Sequence, residues 1–403
     1  EAGPRRCGRV EPRAKIACVT RRKSAPLAHP GSSSSTVERA AVIGLAVGRR
    51  RAADLSLDEL AGLARAAGAT PVLRTLQERR HPDPRTFLGR GKVEELARAC
   101  DERAVDVVVT DAELAPGQRR ALEEALACRV IDRTQLILDI FARRARTREG
   151  KLQVELAQLR YLLPRLVGAG LALSRLGGGI GTRGPGETKL ETDRRRIRRR
   201  MGTLGRQIDQ VRRRRAQLRA RRTKQRLRTV ALVGYTNAGK TTLFNQMTGD
   251  DAAASDALFV TLDPLVRRLR LPDRRVILCS DTVGFIDRLP HALVAAFRAT
   301  LEEVAEADLL LHVSDASSPN RDRQVEAVRS VLTEIGADEV PCVMIWNKCD
   351  QVVEAERRRL ERAEPGSVCL SALEAGSGPA VLEVIEERLG RGVPEGEYVN
   401  GAA

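Results

Sequence analysis

Residues 230–244 read Val-Ala-Leu-Val-Gly-Tyr-Thr-Asn-Ala-Gly-Lys-Thr-Thr-Leu-Phe. The apolar run Val230–Val233 predicts a short buried strand, and the pattern from Thr242 predicts a helix. Between them stands Gly234-x-x-x-x-Gly239-Lys240-Thr241. Strand, glycine loop and helix in that order form a phosphate-binding loop. The glycines let successive backbone N–H groups turn inward around phosphates. Lys240 places a point charge on the β and γ phosphates, and Thr241 offers its hydroxyl to Mg²⁺. The candidate nucleotide-binding set of this loop is Gly234, Tyr235, Thr236, Asn237, Ala238, Gly239, Lys240, Thr241 and Thr242. The stretch fixes the expected class of this part of the chain as α/β, with a mostly parallel sheet.

The choice of base is made further on. Val343–Trp346 predicts a strand that ends in Asn347-Lys348-Cys349-Asp350. A carboxylate at Asp350 can accept hydrogens from both N1 and N2 of guanine, which adenine does not offer. Asn347 is expected to reach the acceptor edge of the base, and the Lys348 stem to cover the ring. Ser371-Ala372, after the strand Val368–Leu370, fits a second base-contacting loop. Between these segments the strand Val276–Cys279 leads to Asp281-Thr-Val-Gly284. Asp281 is expected to hold Mg²⁺ through water, and the Gly284 N–H to meet the γ-phosphate. Thr261 is the candidate switch threonine, ligating Mg²⁺ in the triphosphate state. The metal set is thus Thr241, Thr261 and Asp281, and the catalytic set is Lys240, Thr261, Gly284 and Asn237. Phe285 follows Gly284, where Ras-like enzymes place the Gln that orients the attacking water. Either intrinsic hydrolysis is slow or another group positions the water. Asn237 offers one route, by helping to bind K⁺. The other reading is that Asn237 only stabilises the turn.

Outward from the loop, residues 228–392 form the expected GTPase domain, with a short tail at 393–403. Residues 39–142 alternate strand and helix patterns and predict an N-terminal parallel α/β domain. Its strands are expected at Ala41–Val47, Pro71–Leu76, Val105–Thr110 and Cys128–Ile131. Its helices are expected from Ser56 as N-cap, at Val93–Arg103 and at Pro116–Leu126. Phe87-Leu-Gly-Arg-Gly-Lys92 leads into a helix. It is either a phosphate-holding loop or a plain turn with a helix cap. Residues 143–227 predict an antiparallel helical hairpin of coiled-coil type. Leu152, Leu156, Leu159, Leu163 and Leu166 line its first helix, which Pro164 should kink or end. Leu190, Ile197, Leu204, Val211 and Leu218 recur every seven residues in the second, with Met201 and Ile208 between them. Arg194, Arg215 and Arg222 interrupt that seam. The tip, from Gly177, holds six glycines in ten residues.

The chain has 403 residues and a formal net charge of +17, which points to a polyanionic partner. The excess is concentrated: Arg194–Arg228 holds 17 Lys/Arg and one acid, Asp209. Such density needs a counter-charge, and RNA phosphate supplies it. Aromatics are 2% of the chain, so phosphate and shape contacts are expected in place of base stacking. Gly178, Arg183, Arg194, Arg198, Arg212 and Arg215 are the candidate RNA-binding residues. The eight cysteines show no Cys-x-x-Cys spacing, which argues for reduced thiols and against zinc. No apolar run is long enough to cross a bilayer, so membrane insertion is not expected. Residues 1–38 are a basic leader, read as disordered or as an Arg/Ser-rich transit peptide. A cytoplasmic monomer is expected, or a mitochondrial one if the leader is a transit peptide.

Several longer segments carry a more specific signal. They are Ile131-Asp-Arg-Thr-Gln-Leu-Ile-Leu-Asp-Ile-Phe141, Arg146-Thr-Arg-Glu-Gly-Lys-Leu-Gln-Val-Glu-Leu-Ala-Gln-Leu159, Gly177–Arg200, and Asp281-Thr-Val-Gly-Phe-Ile-Asp-Arg-Leu-Pro-His291 running on to Phe297-Arg-Ala-Thr-Leu-Glu302. Over about residues 39–390 the chain resembles the HflX family of ribosome-associated GTPases. The resemblance implies binding to the large ribosomal subunit and its rRNA. It also implies dissociation of stalled or idle ribosomes in the GTP state, with hydrolysis to GDP stimulated by the ribosome. It places the hairpin tip towards the peptidyl-transferase region and allows ATP use in the N-terminal domain, with Phe87–Lys92 as the place to look. A hydrophobic residue at Phe285 is usual in the family. The chain departs from it at Leu265-Val266, where polar residues are usual, and in the basic leader. Many members carry a further domain beyond the last GTPase helix, here expected at Ala380–Leu389. Functions resting on that domain are not expected of residues 1–403.

Overall fold

The computed structural model describes residues 37–166, 185–224, 227–250, 258–262, 264–287, 301 and 303–390. The N-terminal layer is a parallel sheet of β1 (Arg39–Ala46), β2 (Thr70–Glu78), β3 (Val107–Thr110) and β4 (Arg129–Asp132), in the order β2-β1-β3-β4. The inner strands β1 and β3 are near-continuous apolar runs, and Val107–Thr110 is buried throughout. This is the expected signature of a parallel sheet covered on both faces. The crossovers are α1 (Arg50–Ala66), α2 (Arg90–Glu102) and α3 (Pro116–Leu126), and α4 (Arg133–Arg144) follows β4. Asp132 caps α4, accepting from the Gln135 N–H at 2.9 Å. The expected N-cap at Ser56 is overturned. The first helix begins six residues earlier, and Ser56 is a buried interior residue whose hydroxyl donates to Asp111 at 2.7 Å.

The hairpin is α5 (Arg148–Arg165) against α6 (Pro185–Lys224). Thr147 caps α5 through the Gly150 N–H at 2.9 Å, and Pro164 stands in its last turn. Leu156, Leu204 and Ile208 are buried together, with Leu152, Leu159 and Met201 packed around them. The two helices run antiparallel. Glu149 meets Arg215 at 2.8 Å, while Glu155 further along α5 meets Arg200, earlier in α6, at 2.6 Å. Leu204 is fully buried at this seam, so Leu204→Ala should cost about 2–5 kcal/mol. The side chains at Leu190, Leu218 and Arg222, and the glycine-rich tip, lie outside the described residues.

The third layer is a six-stranded sheet in the order β10-β9-β8-β5-β7-β6. Its strands are β5 (Thr229–Gly234), β6 (Leu265–Arg270), β7 (Val276–Asp281), β8 (Leu309–Asp315), β9 (Cys342–Asn347) and β10 (Val368–Cys369). All pairings are parallel except β6 with β7. Helices α7 (Lys240–Thr248), α8 (Arg321–Glu334), α9 (Glu354–Ala363) and α10 (Ser377–Leu389) accompany it. Gly234, Asp281, Asp315 and Asn347 all end parallel strands on the same side. That is where open α/β sheets bind ligands. Leu265 and Val266 begin the edge strand β6, where both are half-buried.

Candidate functional site

The loop after β5 wraps the N-terminus of α7. Gly234 has φ 151° and Gly239 φ 92°, both in the region that disfavours a side chain. A Cβ on Gly234 would sit 2.1 Å from the Val313 carbonyl oxygen, and one on Gly239 would sit 2.1 Å from Asn347 Nδ2. The glycines are therefore demanded by their surroundings as well as by the turn. Asn237 is left-handed at φ 60°, a conformation its short side chain tolerates. Lys240 is buried and donates to the carbonyls of Gly234 at 3.1 Å and Tyr235 at 2.9 Å. Burial pulls its ammonium down to about 8, with Asp281 opposing the shift.

Thr241, Thr261 and Asp281 come together. The Thr241 hydroxyl donates to Asp281 Oδ2 at 2.7 Å, the Thr261 hydroxyl donates to the same oxygen at 2.9 Å, and the two hydroxyls lie 2.8 Å apart. Burial raises the Asp281 carboxyl above the ordinary range, against Lys240 and the two threonines. Its Oδ1 is buried and has no hydrogen-bond partner. Hard oxygen donors around an unsatisfied carboxylate oxygen suit Mg²⁺, and these three residues would hold it. Gly284 packs closely on the same loop, since a Cβ there would approach Thr236 Cα to 2.9 Å and Lys240 Nζ to 3.1 Å. A cleft of about 400 Å³ joins these groups to the base-recognition loops, lined by Asn237, Thr242, Thr261, Lys348, Asp350 and Ala372 among others.

Within the base loops Asn347 lines the cleft and also joins two loops. Its Nδ2 donates to the Ala238 carbonyl at 2.8 Å, and its Oδ1 accepts from the Ala372 N–H at 2.8 Å. Buried at 2% exposure, it ties the phosphate loop to Ser371-Ala372. Lys348 is left-handed at φ 61° and pairs with Asp315 at 2.8 Å, which fixes its stem beside the cleft. Asp350 is exposed at the cleft, in a short 3-10 turn over Cys349–Gln351.

Tyr235 belongs to the loop through its backbone. Its carbonyl serves Lys240, but its hydroxyl turns to the N-terminal layer, donating to Glu59 and accepting from the Asp287 N–H at 2.8 Å. Phe285 is buried, and its backbone pairs with the loop through Gly234 and Thr236. Asp315, Glu59 and Arg133 were not picked out by the motifs. Arg133 stands among other polar residues in Ile131–Phe141, and no local pattern marks it as buried.

Of the expected RNA-binding residues, Gly178 and Arg183 lie outside the described residues. Arg198 is exposed, Arg194 is half-buried, and Arg212 is half-buried 3.9 Å from Asp209. Arg215 corrects the expectation: it turns inward to Glu149 at 2.8 Å and Glu303 at 3.5 Å, joining hairpin to GTPase layer. At Phe87–Lys92 the candidate phosphate donors have internal partners. The Gly89 N–H donates to Gln77 at 2.8 Å, and Lys92 pairs with Glu95 at 2.8 Å.

Three family models match in chain order. They are a GTP-binding GTPase N-terminal region over residues 54–142, a GTP-binding GTPase middle region over 144–222, and a 50S ribosome-binding GTPase over 229–348. Among curated relatives, the chain is similar to the GTPase HflX of Caldanaerobacter subterraneus subsp. tengcongensis, at 48% identity covering 83% of this chain and 77% of that one. It is similar to the GTPase HflX of Escherichia coli (strain K12) at 49% identity, covering 83% and 79%. Among solved structures it is similar to a GTP-binding protein from Sulfolobus solfataricus in complex with GDP, at 22% identity, with a TM-score of 0.45, covering 87% of this chain and 98% of that one.

Proposed function

This chain belongs to the HflX family of GTPases, and from that premise we propose that it binds the large ribosomal subunit and, with GTP bound, dissociates stalled or idle ribosomes. Hydrolysis of GTP to GDP and phosphate then resets it. The observation that carries the ribosomal part is the outer face of α6. Arg196, Arg198, Arg199, Arg213 and Arg214 are exposed there and have no carboxylate partner among the described residues. Solvated helix faces usually mix signs, because like charges one turn apart repel. A phosphate backbone removes that repulsion and releases counterions.

Within the cleft, the phosphate-loop amides and Lys240 orient the triphosphate. Gly284 packs against this loop, and its N–H is the group we assign to the γ-phosphate. When bound, Mg²⁺ neutralises charge on the β and γ phosphates. Asn237 is the group we assign to a K⁺ site, whose charge would substitute for an arginine finger. Hydrolysis is then expected to be faster in KCl than in NaCl at equal ionic strength. Equal rates would leave Asn237 as a turn former only.

The decisive experiment is sedimentation with purified ribosomes in GDP and in a non-hydrolysable GTP analogue. The reading expects co-sedimentation with the large subunit and a rise in free subunits in the analogue alone. Binding in neither state, or equal binding in both, would sink it. Neutralising Arg196, Arg198, Arg213 and Arg214 together should weaken binding and flatten its salt dependence.

A further inference from the structure

Among the described residues, the N-terminal layer meets the GTPase layer beside each switch. The first place is a buried polar network. Glu59 on α1 accepts from the Tyr235 hydroxyl and pairs with Arg133 on α4. Arg133 is 4% exposed, donates to the Asp287 carbonyl at 3.1 Å, and pairs with Asp111 at 3.1 Å. The Tyr235 hydroxyl receives the Asp287 N–H at 2.8 Å, and Arg323 of α8 holds the Asp287 carboxylate. Asp287 lies three residues after Gly284. Its backbone N–H and C=O are therefore both fixed by side chains that answer to the N-terminal layer.

The second place is Phe259, two residues before Thr261. Phe259 is left-handed at φ 58° and 2% exposed. A bulky residue keeps that conformation only when its surroundings impose it. Here the ring packs edge-on against Phe141 of α4 at 4.7 Å, and the carbonyl accepts from Arg144 at 2.8 Å. Leu258 approaches α1 so closely that a Cβ on Gly62 would come within 3.2 Å of it. At the same time the Thr261 hydroxyl stands in the metal-binding cluster. One apolar cluster runs without a break from Leu60, Ile137 and Phe141 to Phe259, Phe285 and Ile286.

We infer that Glu59, Arg133 and Arg144 are positioning residues, which hold both switches in the arrangement that accepts a γ-phosphate and so make the site prefer GTP over GDP. Thr261 can ligate Mg²⁺ only in this arrangement, and Phe259 is held in it by the N-terminal layer. A diphosphate releases Thr261 and Gly284, and the contacts at Phe259 and Asp287 loosen with them. By linkage, any contact made more strongly in one nucleotide state favours that nucleotide by the same free energy. This inference rests on GTP binding alone and needs no ribosome.

The test uses the full chain without ribosomes. Tyr235→Phe removes one hydroxyl and keeps the ring. Arg144→Gln removes the donor to Phe259 and leaves no buried charge. Equilibrium binding of GDP and of a non-hydrolysable GTP analogue, both fluorescent and with Mg²⁺, is compared with the parent chain. Arg144→Gln should lose about five- to tenfold in analogue affinity, the worth of one buried hydrogen bond, and Tyr235→Phe, which removes two, at least as much, while GDP affinity changes less than about twofold. Arg144→Gln carries the test alone if Tyr235→Phe does not fold. Equal losses for both nucleotides would show mere structural support, and unchanged affinities would show that the contacts do not read the γ-phosphate. Either result overturns the inference.

Discussion

Replacing Asn347 by alanine distinguishes a side chain that assembles the guanine pocket from one that touches the base. Asn347 is 2% exposed and bonds Ala238 and Ala372 at 2.8 Å each, with both partner residues buried. Truncation removes two hydrogen bonds and leaves a buried carbonyl and a buried N–H without those partners. At about 1–2 kcal/mol for each, the loss is about 2–4 kcal/mol. A layer of this size loses about 2–4 °C of melting temperature per kcal/mol, so Tm should fall by roughly 4–16 °C. The effect belongs to the protein before any nucleotide binds. It is read by thermal unfolding of the nucleotide-free chain, with GDP affinity measured in parallel. A nucleotide-free chain that melts like the parent while GDP affinity collapses would refute the clamp.

Four further outcomes are expected. Burial pushes His312 down to about 3, with Arg329 and Lys240 adding repulsion. The unfolded chain therefore takes up a proton below about 6.5 that the native chain refuses, and stability falls as pH drops from there towards 3. By pH 5 this group accounts for about 2 kcal/mol, so urea unfolding of His312→Gln should lose that much less between pH 7 and pH 5. An identical loss in parent and variant would remove His312 as the cause. Arg215→Met should destabilise the chain by about 2 kcal/mol, because Glu149 and Glu303 lose a largely buried partner. Arg198→Gln, on an exposed side chain, should leave stability within about 0.5 kcal/mol and act only on ribosome binding. Finally, Asp350→Asn should shift preference from guanine to xanthine nucleotides in a competition assay. An unchanged preference would take Asp350 out of base recognition.

The legible part of the site is the part whose chemistry is local. Glycine spacing, Lys240 and Thr241 act through the backbone of one turn, so the row of letters already states what the loop does. Strand periodicity likewise revealed the parallel layers, and the seven-residue spacing brought Leu204 and Ile208 to the hairpin seam. Ser56 shows the limit within one element. A serine before an apolar pattern reads as a cap, yet the helix starts earlier and the hydroxyl is used by Asp111.

What the sequence by itself determined is the guanine-nucleotide loop set, the layered α/β class and the charge of α6. Only the tertiary structure decided which polar groups work within the molecule. Tyr235 and Glu59 are 176 residues apart, and Asn347 and Ala238 are 109 apart. No local pattern encodes such pairs. A charged or amide side chain looks the same in sequence whether it meets a phosphate, a base or a carboxylate of another layer. Which it meets depends on where distant strands end, and that placement is set by packing the whole core.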